Sequence, residues 1–241
     1  MAGSVVGLIG GSGLRTPSLL REETRKELDT PYGKPSDAAV VGRHADTRVV
    51  YLARHGRDHH IPPHRLNHRA NLWALRELGA TAILATASTG SLKKSIRPGS
   101  FVVPDDFVSF WDIPTFHDDD VVHATPGLDP RLRDLLTTAG RTSGASIRGR
   151  GIYVQTTGPR LETPAEIAHF ATVGDVVGMT MASEATLASE LGIPYAAVCS
   201  VDNYCNVIVE RPLTFEQIRE TQARNQDALG RIVAATLERF L

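Results

Sequence analysis

Short apolar runs, each closed by small polar residues, alternate along this chain with segments of helical period. Val5 to Ile9 ends in Gly10-Gly11-Ser12-Gly13, Val49 to Ala53 ends in Arg54-His55-Gly56, and Thr81 to Thr86 ends in Ser88-Thr89-Gly90-Ser91. Runs of this length, bounded by glycine and hydroxyl residues, predict buried strands that feed tight turns. Phe101-Val102-Val103 and Ile152-Tyr153-Val154 predict two more, and Tyr195 to Val201 predicts a central strand. Between them, Leu72, Leu75 and Leu78 share one side of a helix expected over Asn67 to Leu78, with Gly79 as its stop. Thr163-Pro164-Ala165-Glu166 has the form of a capping box with proline at the first helical position. Ser183 to Leu191 predicts another helix. Thr214-Phe215-Glu216-Gln217 opens a last one, which turns Ile218, Leu229, Ile232, Val233 and Leu237 inward. Trp111 to Pro130, with the acidic run Asp118-Asp119-Asp120, has neither period and is expected to be the least structured stretch. No repeat and no flexible linker interrupts the alternation. The expectation is a single α/β domain over residues 1–241, a central mixed, twisted sheet flanked by helices.

Composition removes several classes of function. A formal net charge of -1 offers no basic face for a nucleic acid or a membrane surface. No run approaches the roughly 18–20 apolar residues of a membrane span. Cys199 and Cys205 are too few for a disulfide framework and are not spaced as a zinc site, so a reducing, cytoplasmic setting is the expectation. Cys199 reads as a small core residue, and Cys205 as a potentially exposed one.

The polar turns carry the candidate chemistry. Ligands of open α/β sheets collect at the carboxyl ends of strands. Glycine turns there let backbone N–H groups converge on an anion, and hydroxyls and an arginine add strong donors. Ser12, Arg54, His55 and the backbone of Ser88 together predict a phosphate site. A dinucleotide fingerprint is excluded because position 16 is threonine rather than the third glycine, and the Lys-Ser/Thr ending of a P-loop is missing. His55, His59, His60, His64 and His68 are spaced at intervals of four in part, but Pro62-Pro63 prevents one helix from presenting them together, and no metal is expected. Farther along, Thr157-Gly158-Pro159-Arg160-Leu161-Glu162-Thr163 sets an arginine and a carboxylate before a helix, and Val201-Asp202-Asn203 closes a buried strand. Such a pair of polar strand and turn ends suits the edge of a flat, hydrogen-bonding ligand.

Taken in order, Ile9-Gly10-Gly11-Ser12-Gly13-Leu14, Thr30-Pro31-Tyr32-Gly33-Lys34-Pro35-Ser36, Ala53-Arg54-His55-Gly56, Asn71-Leu72-Trp73-Ala74-Leu75, Gly158-Pro159-Arg160 and Gly178-Met179-Thr180 with Glu184 resemble the methylthioadenosine phosphorylase branch of the trimeric purine nucleoside phosphorylases. The resemblance spans nearly the whole chain. It implies phosphorolysis of a purine nucleoside to free purine and a pentose 1-phosphate, with inorganic phosphate as co-substrate, no other cofactor, and a homotrimer or a dimer of trimers. Carried onto this chain, it implies that Ser12, Arg54, His55, Ser88 and Thr180 bind phosphate and that Met179 packs under the sugar. Glu162, Asn203 and His55 become the catalytic candidates.

Departures from the branch bear on the base. Methylthioadenosine phosphorylases have small hydroxyl residues where Leu161-Glu162-Thr163 stands, and an aspartate where Asn203 falls. Glu162 and Asn203 resemble instead the glutamate and asparagine of 6-oxopurine phosphorylases, and Leu-Glu-Thr resembles methylthioinosine phosphorylases. An ionised Glu162 accepts from the N1–H of hypoxanthine or guanine, whereas adenine offers it only a lone pair; sites built on such a match discriminate by factors on the order of 10⁴. A one-residue shift of register would put Asp202 at the base instead. Ala87 stands where the branch has a phosphate-contacting threonine, and Trp111 to Pro130 is shorter than the corresponding region. The expectation is therefore a phosphorylase of inosine, guanosine or 5′-methylthioinosine. Its rivals are a 6-aminopurine enzyme of the methylthioadenosine type, a silent nucleoside-binding homologue and a hydrolytic nucleosidase.

Overall fold

The computed structural model describes residues 4–14, 19–111, 113–210 and 213–240. Its strands are β1 (Val5–Gly10), β2 (Arg21–Lys26), β3 (Ala39–His44), β4 (Thr47–Ala53), β5 (Ala82–Ser91), β6 (Phe101–Val102), β7 (Asp106–Ser109), β8 (Ile147–Arg148), β9 (Ile152–Gln155), β10 (Val176–Gly178) and β11 (Tyr195–Tyr204). Its helices are α1 (His68–Glu77), α2 (Pro130–Thr142), α3 (Pro164–Val173), α4 (Met181–Glu190) and α5 (Phe215–Glu238). The strands form one mixed sheet whose main path runs β2-β3-β4-β1-β5-β10-β9-β7. β1 pairs in parallel with β4 and β5, and β5 pairs in parallel with β11.

Alternation along the central strands divides the core between two faces. Ile83, Ala85 and Ala87 of β5 pack with Leu72 and Leu75 of α1 and with Met181, Ala185, Leu187 and Ala188 of α4. Ala82 and Leu84 face the other way, toward Leu132 and Leu136 of α2 and Leu229, Ile232 and Val233 of α5. The inward residues expected of the last helix are all buried. The capping box at Thr163 is complete: its Oγ1 accepts from Glu166 N, and Glu166 accepts from Thr163 N. Thr214 accepts from Gln217 N at the start of α5.

Several elements depart from the sequence reading. β2 is an edge strand with all six residues exposed, so it carries no apolar signal. α2 begins at Pro130, where Asp129 caps it by accepting from Leu132 N. Ser88 to Ser91 is not a turn at all, because β5 runs through it to Ser91. Small residues stand there because β11 comes close: a Cβ on Gly90 would lie 2.5 Å from Cys205 Sγ and 3.0 Å from Asn203 Nδ2. β11 likewise continues past Val201, through Asp202 and Asn203, to Tyr204. Cys205 is buried rather than exposed, and burial pushes its thiol pKa up. Among the described residues, no helix is long and apolar enough to cross a membrane.

Candidate active site

β1 and β4 lie side by side in parallel, so their terminal turns, Gly10 onward and Arg54 onward, meet at one edge of the sheet. Arg54 folds back beneath that edge and is almost wholly buried. Its Nε and Nη2 donate to the two oxygens of Glu184 at 2.5 and 2.9 Å, and Nη1 donates to the Thr86 carbonyl at 2.7 Å. Of the five N–H donors of a guanidinium, two remain without an acceptor among the described residues. Gly11 is the residue that makes room, since a Cβ there would sit 2.5 Å from Arg54 Nη1 and 2.6 Å from Thr86 O. Glu184 also accepts from the Tyr195 hydroxyl at 2.8 Å. Burial alone would hold the Glu184 carboxyl up, but the Arg54 charge and its hydrogen bonds outweigh it and leave the pKa lowered. The pair is fully ionised.

His55 follows Arg54 and donates its Nδ1–H to the Ile61 carbonyl at 2.8 Å. Burial and the neighbouring Arg54 charge push its pKa down to about 4. The neutral ring thus has its proton fixed on Nδ1 and presents Nε2 as an acceptor. Thr180 is the N-cap of α4, yet its side chain makes no capping hydrogen bond. Its backbone N–H donates instead to the Tyr153 hydroxyl at 3.2 Å. Ser88 Oγ donates to Asp202 and accepts from Gln222 Nε2 at 2.9 Å.

A single cavity is lined by Ser12, Arg54, His55, Ser88, Met179 and Thr180 together with Glu162 and Asn203. Every expected site residue but one therefore converges. The exception is Asp202, which does not line this cavity. A β-bulge between Val201 and Asn203 leaves Asp202 without a partner on β5, while Asn203 pairs with Gly90. Asp202 is buried and turned toward Ser88, Ser200 and Asn225, which donate to it at 2.5, 2.5 and 3.1 Å. Burial raises its pKa against those hydrogen bonds. The two adjacent residues thus do separate work: Asp202 fastens β11 to β5 and α5, and Asn203 faces the cavity.

Glu162 is buried at the opposite end of the motif that Gly158 opens. Thr156 Oγ1 donates to its Oε1 at 2.8 Å, and Asn206 Nδ2 holds its carbonyl at 2.9 Å. No hydrogen bond among the described residues reaches Oε2, which leaves one carboxylate oxygen for whatever enters the cavity. Asn203 donates one amide hydrogen to the Tyr204 carbonyl at 3.0 Å and keeps the other. Arg160 does not join them. It is exposed and makes a bidentate pair with Glu166 at 2.6 and 2.8 Å.

Other expectations land elsewhere. The five histidines do not converge: His55 and His59 meet at a tilt of 44° with ring centroids 4.5 Å apart, while His68 is buried with Nδ1 4.0 Å from Glu184. Among the described residues, no group of three or more His, Cys, Asp or Glu is placed to hold a metal. Sequence reasoning missed Thr156, Gln222, and the roles of Tyr195 and Glu184. Glu184 had a readable signal, a lone carboxylate amid Met181, Ala182, Ala185 and Ala188 on a short helix. A charge set among small apolar residues demands a buried partner.

The phosphorylase superfamily profile matches residues 5–238. A probable S-methyl-5′-thioinosine phosphorylase from Methanothermobacter thermautotrophicus is 43% identical, over 97% of this chain and 83% of that protein. A probable 6-oxopurine nucleoside phosphorylase from Archaeoglobus fulgidus is 37% identical, over 98% and 96%. An S-methyl-5′-thioadenosine phosphorylase from Hyperthermus butylicus is also 37% identical, over 98% and 88%. The solved methylthioadenosine phosphorylase of Schistosoma mansoni in complex with adenine superposes with a TM-score of 0.89 at 32% identity, covering 98% of this chain and 91% of that one. The chain belongs to the phosphorylase superfamily. Within it, the chain is a nucleoside phosphorylase, a pentosyltransferase of the methylthioadenosine and 6-oxopurine phosphorylase type.

Proposed function

We propose that this enzyme cleaves 6-oxopurine nucleosides with inorganic phosphate as co-substrate and that 5′-methylthioinosine suits it best. The observation that carries the base is the half-satisfied Glu162 carboxylate. Thr156 occupies one oxygen, and the other is left to accept the N1–H that a 6-oxopurine has and adenine lacks. The free amide hydrogen of Asn203 donates to O6 or N7 across the ring. An adenine-reading aspartate would have to be Asp202, and its carboxylate is taken up by Ser88, Ser200 and Asn225.

The sugar end supports an apolar 5′ substituent. Phe215 lines the cavity and also borders Ser12 and His55, the phosphate end, and Leu213 and Ile218 accompany it from the start of α5. A methylthio group gains from contact with these side chains, at about 25 cal/mol per Å² of apolar surface removed from water.

Phosphate rests on Ser12, the two free N–H groups of Arg54 and the Thr180 hydroxyl. His55 Nε2 accepts an O–H, from the phosphate monoanion or a ribose hydroxyl, and so orients the nucleophile. One phosphate oxygen bonds to C1′ as the C1′–N9 bond breaks, and that electron pair passes into the purine. Asn203 steadies the negative charge gathering at N7 and O6. Holding phosphate and sugar in contact supplies the remaining acceleration by positioning. Product analysis with methylthioinosine, inosine and methylthioadenosine, each with and without phosphate, tests the proposal. It expects phosphate-dependent release of hypoxanthine, fastest from methylthioinosine. Rapid turnover of methylthioadenosine alone would overturn the base assignment, and cleavage without phosphate would overturn the reaction.

A further inference from the structure

His68 is the first residue of α1, and Asn67 fixes the backbone there by capping the helix, its side chain accepting from Ala70 N. The imidazole is buried, and no step of the phosphorolysis uses it. Its Nδ1 has no hydrogen-bond partner among the described residues, and a buried polar atom without one is rare enough to call for a cause. Nδ1 stands 4.0 Å from Glu184 Oε1, about 1 Å beyond a hydrogen bond. Oε1 accepts from Arg54 Nε, whereas Oε2 accepts from both Arg54 Nη2 and Tyr195, so His68 faces the less loaded oxygen. Burial holds the ring neutral, with a pKa of about 4, while the Glu184 and Arg54 charges act on it in opposite directions. The single N–H of that neutral ring belongs on Nδ1, because a lone pair there would face a carboxylate.

We propose that His68 is a positioning residue for phosphate binding: as Arg54 turns toward phosphate, His68 Nδ1–H closes on Glu184 Oε1 and takes over part of its load. The inference rests on the reading of Arg54 as part of the phosphate floor. Two N–H groups of Arg54 have no acceptor among the described residues, and a phosphate dianion draws them, and the guanidinium with them, away from the carboxylate. Oε1 is then short of a donor inside a buried site, where a charge with too few hydrogen bonds is costly. His68 supplies that donor after a shift of about 1 Å. The empty enzyme thus carries an unsatisfied N–H that the phosphate-bound enzyme satisfies, and the difference favours the bound state. His68 does not line the nucleoside cavity, so its effect reaches phosphate through Glu184 and Arg54.

The test is calorimetric titration with inorganic phosphate, beside steady-state kinetics, of the unaltered enzyme, His68→Leu and His68→Asn. Leucine fills the space without a donor, and the asparagine amide sets a donor near the place of Nδ1. His68→Leu binds phosphate about 10-fold more weakly, the worth of one hydrogen bond to a charged group, and KM for phosphate rises in step. kcat at saturating phosphate and KM for the nucleoside stay unchanged, and His68→Asn restores the phosphate affinity. In the unaltered enzyme with isotope-labelled histidine, phosphate moves the His68 Nδ1–H resonance, identified by its loss in His68→Asn, downfield. An unchanged phosphate affinity in His68→Leu, a loss that His68→Asn shares in full, an equal rise in the nucleoside KM, or a ring resonance that phosphate leaves in place would overturn the role of His68 while leaving the floor standing. An unaltered enzyme that binds no phosphate and cleaves without it would instead remove the floor reading and this inference with it.

Discussion

Two buried glutamates, Glu162 in the cavity lining and Glu184 paired with Arg54, are treated in opposite ways. Glu184, 1% exposed, has both oxygens taken by Arg54 and a further donor in Tyr195. Glu162, 8% exposed, has one oxygen taken by Thr156 and the other left open to the cavity. A saturated carboxylate has nothing to offer a ligand; its work is to hold Arg54 in place and in charge. An unsaturated one is an instruction to a ligand about which atom must face it. Burial by itself separates neither role, and the accounting of donors does.

The comparison breaks most sharply at Glu184. Glu184→Gln leaves the Arg54 cation buried without its counter-charge, and stability should drop by about 3–5 kcal/mol, read by urea unfolding. Glu162→Gln should change stability by less than about 1 kcal/mol, because an amide still accepts from Thr156. Equal losses at the two sites would erase the distinction.

A smaller effect comes from pH. His68 is buried beside Glu184 with its pKa lowered to about 4, chiefly by desolvation. His55 is lowered to about 4 as well. The unfolded chain binds these protons near pH 6.5 and the folded one only near pH 4, so stability is full above pH 6.5 and falls as pH drops through that window. At about 1.4 kcal/mol per unit, the shift of His68 from 6.5 to about 4 alone accounts for roughly 3–3.5 kcal/mol of the fall. Glu184, whose pKa is lowered, acts only below the ordinary carboxylate range, whereas Asp202, whose pKa burial raises, takes up its proton earlier in the folded chain and partly opposes the histidines. Thermal unfolding of His68→Leu between pH 7 and pH 4 should show a flatter slope; an unchanged slope would contradict the assignment.

The neighbours on β11 sharpen the contrast further. Asn203→Asp should shift the preference between 6-oxo and 6-amino nucleosides by about 10-fold, the worth of one hydrogen bond to a charged group. Asp202→Asn should disturb Ser88, Ser200 and Asn225 and lower stability with no change in that preference. Competition assays with the two nucleosides distinguish the pair, and a shift in preference from Asp202→Asn would reverse their roles.

How far the sequence went follows the same logic of local and distant signals. Strands with apolar runs, the capping box at Thr163 and the inward face of α5 are written in neighbouring residues, and all are present. β2 escaped because an edge strand has no core face to mark. Ser88 to Ser91 misled because small polar residues signal a turn, yet here they admit β11 at close range. Glu162 and Asn203 were legible as motif residues. The register between Asp202 and Asn203 was not, because a bulge is a property of strand pairing across more than one hundred residues of separation, as in Ser88 with Asp202. Thr156, which decides what Glu162 has left to offer, announced itself only through the fold.

The most direct measurement is the ratio of kcat/KM for 5′-methylthioinosine to that for 5′-methylthioadenosine, in the unaltered enzyme and in Glu162→Gln. A ratio on the order of 10³–10⁴ that collapses about 100-fold or more in the variant is what an open Glu162 oxygen reading N1–H predicts. A preference for methylthioadenosine in the unaltered enzyme, or a ratio that Glu162→Gln leaves untouched, would contradict it.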